Sequence, residues 1–336
     1  MHSATMTDTF LDRGKASLYP IIEPYRQQML DVGDGHKLYL EECGNPDGIP
    51  ALVLHGGPGG GCSPNMRRYF DPNAFRIILF DQRGCGRSKP HASVKKNTTW
   101  DLLEDIETIR KFYSIRKFLL FGGSWGAALA LLYAESFPMR VWNMILRGVF
   151  TMTKKELDWV YTEEGAAKFL PESWRAFVNH IPPNERSDLL NAYHQRLFYG
   201  SPADQAKFAK SWTRWENSLA SFQNFGASFT PSDDYALAFA RIENHYFINN
   251  GFLKMQDQIF QNLPSIEHIP VTIVQGRYDM ICPPYTAEAL HKKLPNSNLI
   301  MIKDAGHAMS EPGISAALVS ATDEARNHKD IASLVP

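Results

Sequence analysis

Cysteine is scarce in this 336-residue chain. The four present, Cys43, Cys62, Cys85 and Cys282, stand far apart, with no C-x-x-C pair and no His/Cys cluster. That spacing excludes a zinc-ribbon reading and a disulfide-stapled scaffold, and it points to a reducing compartment. Long apolar runs are missing as well. No stretch approaches the ~18 consecutive residues that a membrane span needs, and the N-terminal MHSATMTDTFLDRGK has no apolar signal core. A soluble, cytoplasmic chain with no membrane partner is the expectation. Nor is there an excess of one charge: 35 Lys and Arg face 36 Asp and Glu, a formal net charge of −1 without a long single-sign block. Such a surface does not track phosphates, so nucleic acid is not an expected partner. Repeats and low-complexity tracts are absent too.

What is present suits a large folded core: 44% hydrophobic and 21% charged residues. Residues 1–27 read as an extended arm lying on the domain. Gln28 to Val32, a DGHK turn, and Leu38 to Cys43 predict a hairpin. Apolar runs at Ala51–Leu54, Arg76–Phe80 and Phe118–Phe121 each end at a glycine-rich or polar turn: HGGPGGG, DQRGCGRS and GGSWG. A helix around Leu102 to Phe112 precedes the third run, and an Ala/Leu-rich helix from Ala127 to Ser136 follows it. Apolar runs alternating with helices predict a mostly parallel sheet covered on both faces. From Thr151 to Asn262 the texture changes to Trp, Phe, Tyr, Ala, Lys and Glu at helical spacing, which predicts an inserted helical cap at 151–262. Strands return at Val271–Gln275 and Leu299–Ile302, and a helix from about Ile314 closes the chain. The catalytic domain would then comprise 1–150 and 263–336.

Gly122-Gly123-Ser124-Trp125-Gly126 matches G-x-S-x-G between a predicted strand and a predicted helix, the context of an α/β-hydrolase nucleophile elbow. A serine hydroxyl near neutral pH needs a base, and the base needs an orienting acid, arriving later in the order Ser, Asp, His. Asp279 in GRYD and His307 in DAGH each follow a predicted strand in that order, so Ser124, Asp279 and His307 form the candidate triad. The oxyanion of acyl transfer requires preorganised N–H donors. Trp125, directly after the nucleophile, and Gly57 in HGGPGGG are the candidates. The glycine-rich loop lacks the GK[ST] ending of a nucleotide-binding loop. No metal or cofactor is expected.

Along nearly its full length the chain resembles proline iminopeptidases (prolyl aminopeptidases). The resemblance runs through YPIIEPY, DGHKLYLEECGNP, LHGGPGGGC, FDQRGCGRS, GGSWGAALAL, ARIENHYF, VQGRYDMICPP and AGHAMSEPG. It implies hydrolysis after an N-terminal proline, without metal or cofactor; peptides with N-terminal proline are the expected partners, and a monomer or small homo-oligomer is the expected assembly. It also implies that a helical cap supplies two carboxylates for the substrate's amino terminus, which on matching positions are Glu216 and Glu243. Trp212 at i−4 from Glu216, and Phe239 and Phe247 around Glu243, would place aromatic walls beside the acids. Departures are small. GAALAL follows the serine where a hydroxyl residue or glycine is common, Ala308-Met309 after His307 would line the site, and Cys282 reads as a buried small hydrophobe. An esterase or amidase acting on small acyl groups, and a non-catalytic ligand-binding protein of the same fold, are the competing readings.

Overall fold

The computed structural model describes residues 17–222, 230–327 and 333–334. Most of the expected N-terminal arm therefore lies outside the described residues. Its last part runs along the domain surface, with Tyr19 N–H donating to Arg68 O at 2.9 Å and Arg67 Nη1 donating to Ile22 O at 3.0 Å.

Among the described residues eight strands build one sheet: β1 Arg26–Gly33, β2 His36–Gly44, β3 Ile49–Leu54, β4 Phe75–Phe80, β5 Phe118–Ser124, β6 Val141–Val149, β7 Val271–Gly276 and β8 Ser297–Ile302. Their spatial order is β1-β2-β4-β3-β5-β6-β7-β8. The β1–β2 and β2–β4 pairings are antiparallel and all later ones parallel. Strand β6 has no counterpart in the sequence reading. Its segment VWNMILRGV carries Asn143, Arg147 and Gly148, which interrupt the apolar run that marked its neighbours.

Among the described residues ten α-helices accompany the strands. Helix α1 (Thr99–Phe112) precedes β5, and α2 (Trp125–Ser136) leaves it directly. Between β6 and β7 come α3 (Lys154–Tyr161), α4 (Pro171–Val178), α5 (Leu189–Tyr199), α6 (Pro202–Leu219), α7 (Asp233–Ile248) and α8 (Gln258–Asn262). Helix α9 (Pro284–Lys293) joins β7 to β8, and α10 (Pro312–Ala325) follows β8. Among the described residues no helix is long and apolar enough to cross a membrane.

The period of two along the central strands sorts their side chains onto both faces. Leu52, Leu54 and Leu120 join α1 and α2 in one core; Ala51, Val53, Leu119 and Phe121 join α10 in the other. A sheet buried on both sides cannot host a site on its faces. Chemistry-bearing residues therefore collect in the turns beyond the carboxyl ends of the strands, and Ser124, Asp279 and His307 lie at or just after the ends of β5, β7 and β8.

Candidate active site

Ser124 is the last residue of β5, and α2 begins at the next position. Its backbone is held at φ 59° and ψ −125°. An L-residue adopts that conformation at a cost of order 1–3 kcal/mol, so the surroundings must enforce it. They do so by close approach. A Cβ at Gly126 would lie 2.0 Å from Leu54 O, and one at Gly122 would lie 2.3 Å from Gly126 O. Only glycine lets strand and helix meet this tightly.

His307 Nδ1 and Asp279 Oδ2 are 2.8 Å apart. Asp279 Oδ1 accepts from the Ile281 and Cys282 N–H groups at 3.0 and 2.7 Å, and Gln275 Nε2 reaches Oδ2 at 3.2 Å. An acid so fixed places the His307 proton on Nδ1 and leaves the Nε2 lone pair available. Burial pushes the His307 pKa down; Asp279 opposes that shift, while the Arg147 cation reinforces it. Arg147 Nη1 lies 2.9 Å from His307 Nε2 and also 2.9 Å from His307 O. Ser124 Oγ and Cys282 Sγ are 3.9 Å apart. Ser124 and His307 line one cavity and Asp279 lies behind His307, but no hydrogen bond joins Ser124 Oγ to His307. Such contacts are often loose in unliganded sites.

The HGGPGGG loop borders the nucleophile: a Cβ on Gly56 would sit 3.2 Å from Ser124 Cβ. Gly57 lines the cavity with φ +112°, while the Trp125 N–H stands at the start of α2. His55, buried and with its pKa lowered by burial, organises this loop. Its Nε2 accepts from Gln82 N–H at 3.0 Å, and its Nδ1 lies 2.9 Å from Gly56 O and 3.2 Å from Gly61 N, both in the glycine loop. Gln82 then accepts from Trp125 Nε1 at 3.0 Å and donates to His55 O at 2.9 Å. In DQRGCGRS, Asp81 accepts from the N–H groups of Cys62 and Arg87, both at 2.8 Å, and from Arg87 Nε at 2.7 Å. Arg83 grips Asp105 through two 2.7 Å bonds. The motif is thus a scaffold for the glycine loop.

Above Ser124 opens a cavity of about 660 Å³, walled by Phe150, Leu157, Val160, Tyr161, Phe239 and Phe247. Glu216 from α6 and Glu243 from α7 both reach it. Tyr161 OH donates to Glu216 Oε1, and Trp212 Nε1 donates to Glu243 Oε2 at 2.6 Å. Burial raises the pKa of Glu216 to about 7, against the Tyr161 bond that lowers it. It pushes Glu243 well above the ordinary carboxylate range, reinforced by the neighbouring Glu216 charge. Among the described residues no cluster of three or more His, Cys, Asp or Glu could hold a metal ion.

A family model described as the alpha/beta hydrolase fold matches residues 50–313. A probable proline iminopeptidase from Leptolyngbya boryana is 49% identical over 91% of this chain and 96% of its own length. Proline iminopeptidases from Arabidopsis thaliana (49%, covering 94% of this chain and 83% of that protein) and Neisseria gonorrhoeae (44%, 91% and 98%) match similarly. The chain belongs to the proline iminopeptidase family. Solved structures resemble it in fold alone: a putative aryl esterase from Burkholderia cenocepacia superposes with a TM-score of 0.59 at 17% identity, over 90% of this chain and 98% of that one.

In this member of the proline iminopeptidase family, several site residues escaped sequence reasoning. Trp212 was expected beside Glu216 on its own helix; its indole instead crosses to Glu243 on α7. Arg147 lies on the unread strand β6. Glu156 lines the cavity, but it is the N3 residue of α3, and its capping box with Thr153 was legible as T-x-x-E. His55 stood in plain view before the glycines without a stated role. Met309 does not line the main cavity, and its carbonyl accepts from Tyr69 OH at 2.7 Å.

Proposed function

We propose that this protein is a serine exopeptidase that releases N-terminal proline from peptides. Ser124 is the nucleophile, His307 the general base and Asp279 its orienting acid. One observation carries the choice of substrate: of the four carboxylates lining the cavity, only Glu216 and Glu243 have acceptor capacity to spare. Asp81 is spent on Cys62 and Arg87, and Glu156 on Thr151, Thr153 and Thr286. Glu216 and Glu243 each accept one hydrogen bond from a described residue, from Tyr161 and Trp212 respectively. An N-terminal proline carries a secondary ammonium with two N–H donors and an apolar ring. Two acceptors within an aromatic wall match that group, and each charge-assisted bond is worth roughly 1.5–3 kcal/mol.

With the ammonium so anchored, the proline carbonyl lies over Ser124. Ser124 Oγ adds to the carbonyl carbon as its proton passes to His307 Nε2, and the N–H groups of Gly57 and Trp125 receive the oxyanion. His307 then protonates the departing amine, leaving a prolyl ester on Ser124. Water, deprotonated by the same base, hydrolyses that ester. Helices of the 151–262 segment act as a cap that restricts entry to free amino termini. Four free cysteines accord with a cytoplasmic location.

Steady-state rates on proline β-naphthylamide, p-nitrophenyl acetate and an N-acetyl-proline amide test the proposal, with Ser124→Ala as the inactive control. Glu216→Gln and Glu243→Gln should each lower kcat/KM on the charged substrate by roughly 10- to 150-fold. They should leave the neutral ester almost untouched. Equal losses on both substrates, or efficient cleavage of the N-acetylated amide, would sink recognition of the amino terminus and favour a general esterase or amidase.

A further inference from the structure

Helix α6 carries Glu216 into the cavity and ends at Leu219. The chain beyond it does not return to solvent but closes onto the turn that bears His307. Ala220 O accepts from the N–H groups of both His307 and Ala308, at 3.0 and 2.7 Å. Two residues later, Phe222 N–H donates to Glu311 Oε1 at 3.0 Å, while Gly306 N–H, immediately before His307, donates to Glu311 Oε2 at 2.9 Å. One carboxylate thus joins the segment that follows α6 to the turn bearing His307.

Three further features show that this junction is built for its purpose. Glu311 is 4% exposed, and as N-cap residue of α10 it makes no side-chain cap bond, so its carboxylate is diverted from the usual duty of that position. A Cβ at Gly306 would lie 2.8 Å from Phe222 N and 3.1 Å from Glu311 Oε1, so the approach demands glycine. Phe222 also stacks on Tyr278, with ring centroids 4.4 Å apart and planes 11° from parallel, and Tyr278 adjoins Asp279.

We propose that Glu311 is a positioning residue for the general base, fastening the His307 turn to the helix that recognises the substrate's amino terminus. The inference rests on the triad reading above. Glu311 touches no reacting atom. It satisfies two buried donors with one anion, which fixes the height of the His307 backbone relative to Ala220 and so the direction of Nε2. A glutamine there puts an NH2 group where one of the two carboxylate oxygens now accepts, so in the present geometry a donor faces a donor and one N–H loses its partner. The resulting misplacement of a catalytic group by a fraction of an ångström to 1 Å lowers rates by up to about a hundredfold.

The test is Glu311→Gln, read by three rates: hydrolysis of proline β-naphthylamide, hydrolysis of p-nitrophenyl acetate, and labelling of Ser124 by a sulfonyl fluoride. All three need His307, and only the first needs the cap acids. Expected are a kcat loss of about 10- to 100-fold with KM within about threefold, and equal slowing of the ester and labelling reactions, in protein with a parent-like near-ultraviolet circular dichroism spectrum. Gly306→Ala, whose Cβ would press on Phe222 N at 2.8 Å and on Glu311 Oε1 at 3.1 Å, disturbs the same junction from the other side, should give the same pattern and serves if Glu311→Gln does not fold. Labelling within twofold of the parent in whichever variant folds would overturn the proposal. A parent protein that is not labelled at all would overturn the triad first, and this inference with it.

Discussion

Arg147 Nη1 sits 2.9 Å from His307 Nε2, the atom to which the proposed mechanism passes the Ser124 proton. The guanidinium also lies flat against the elbow, where a Cβ on Gly123 would come 2.4 Å from Arg147 Nη2. A cation at this distance disfavours the imidazolium, and Arg147 is one of the two influences that lower the His307 pKa, after burial. Arg147→Gln should therefore raise that pKa. The base works unprotonated, so the acid limb of the p-nitrophenyl acetate pH–rate profile should move to higher pH. An unmoved limb in a folded variant would mean that the charge is not felt at His307.

The two substrates should also differ in pH dependence. In the proposed function ammonium binding requires ionised cap acids, and burial raises Glu216 to about 7, whereas His307 is held below its ordinary 6.5. On lowering the pH, kcat/KM for proline β-naphthylamide should fall first, through protonation of the cap pair. The neutral ester should persist to lower pH, until His307 itself is protonated. Glu216→Gln should narrow this separation only in part, because burial alone still holds Glu243 above the ordinary carboxylate range. Coincident limbs for the two substrates in the parent enzyme would contradict the assignment.

Glycine at position 126 is needed for space rather than for conformation. A Cβ there meets Leu54 O at 2.0 Å, and a backbone carbonyl within a central strand cannot retreat. Gly126→Ala should destabilise the protein by several kcal/mol, on the order of 3–5. Gly35 offers a contrast: it lies in the β1–β2 turn at φ +80° with nothing within 4 Å of an added Cβ. Gly35→Ala should cost only about 1 kcal/mol. Urea denaturation midpoints of the two variants would check the ranking.

Glu135 on α2 makes a stability prediction away from the site. Its Oε1 is buried without a partner, and Oε2 meets Asn262 Nδ2 only at 3.4 Å. Burial raises its pKa from 4.5 to about 8. A folded-state pKa above the unfolded value means that the folded state holds the proton more tightly. The group's stabilising contribution is complete below about pH 4.5 and is lost as the pH rises towards 8. Glu135→Gln removes the ionisation and should gain roughly 2–4 kcal/mol at pH 9 relative to the parent, with little difference at pH 5. Thermal scans at the two pH values would show a Tm gain confined to the alkaline condition; equal shifts at both would refute the account.

The sequence by itself determined the parts of this protein that depend on neighbours along the chain. The apolar runs of β3, β4 and β5, the elbow glycines around Ser124, and the order Ser124, Asp279, His307 are all local signals. A strand end, a tight turn and a helix start are written within a dozen residues. Tertiary structure decided whatever depends on segments that meet only after folding. Strand β6 was hidden because Asn143, Arg147 and Gly148 interrupt its apolar texture, although flanking strands bury it all the same. Trp212 and Glu216 share a face of α6, yet the indole bonds to Glu243, because the packing of α6 against α7 brings that acid closer to its N–H. Helical spacing alone makes Glu216 and Glu243 ordinary solvent-facing residues. Burial in an aromatic cavity is what raises their pKa values and leaves their oxygens poorly satisfied. The placement of Arg147 on His307, and of Glu311 between Gly306 and Phe222, likewise has no local signature, since each contact joins residues from separate strands, turns or the cap.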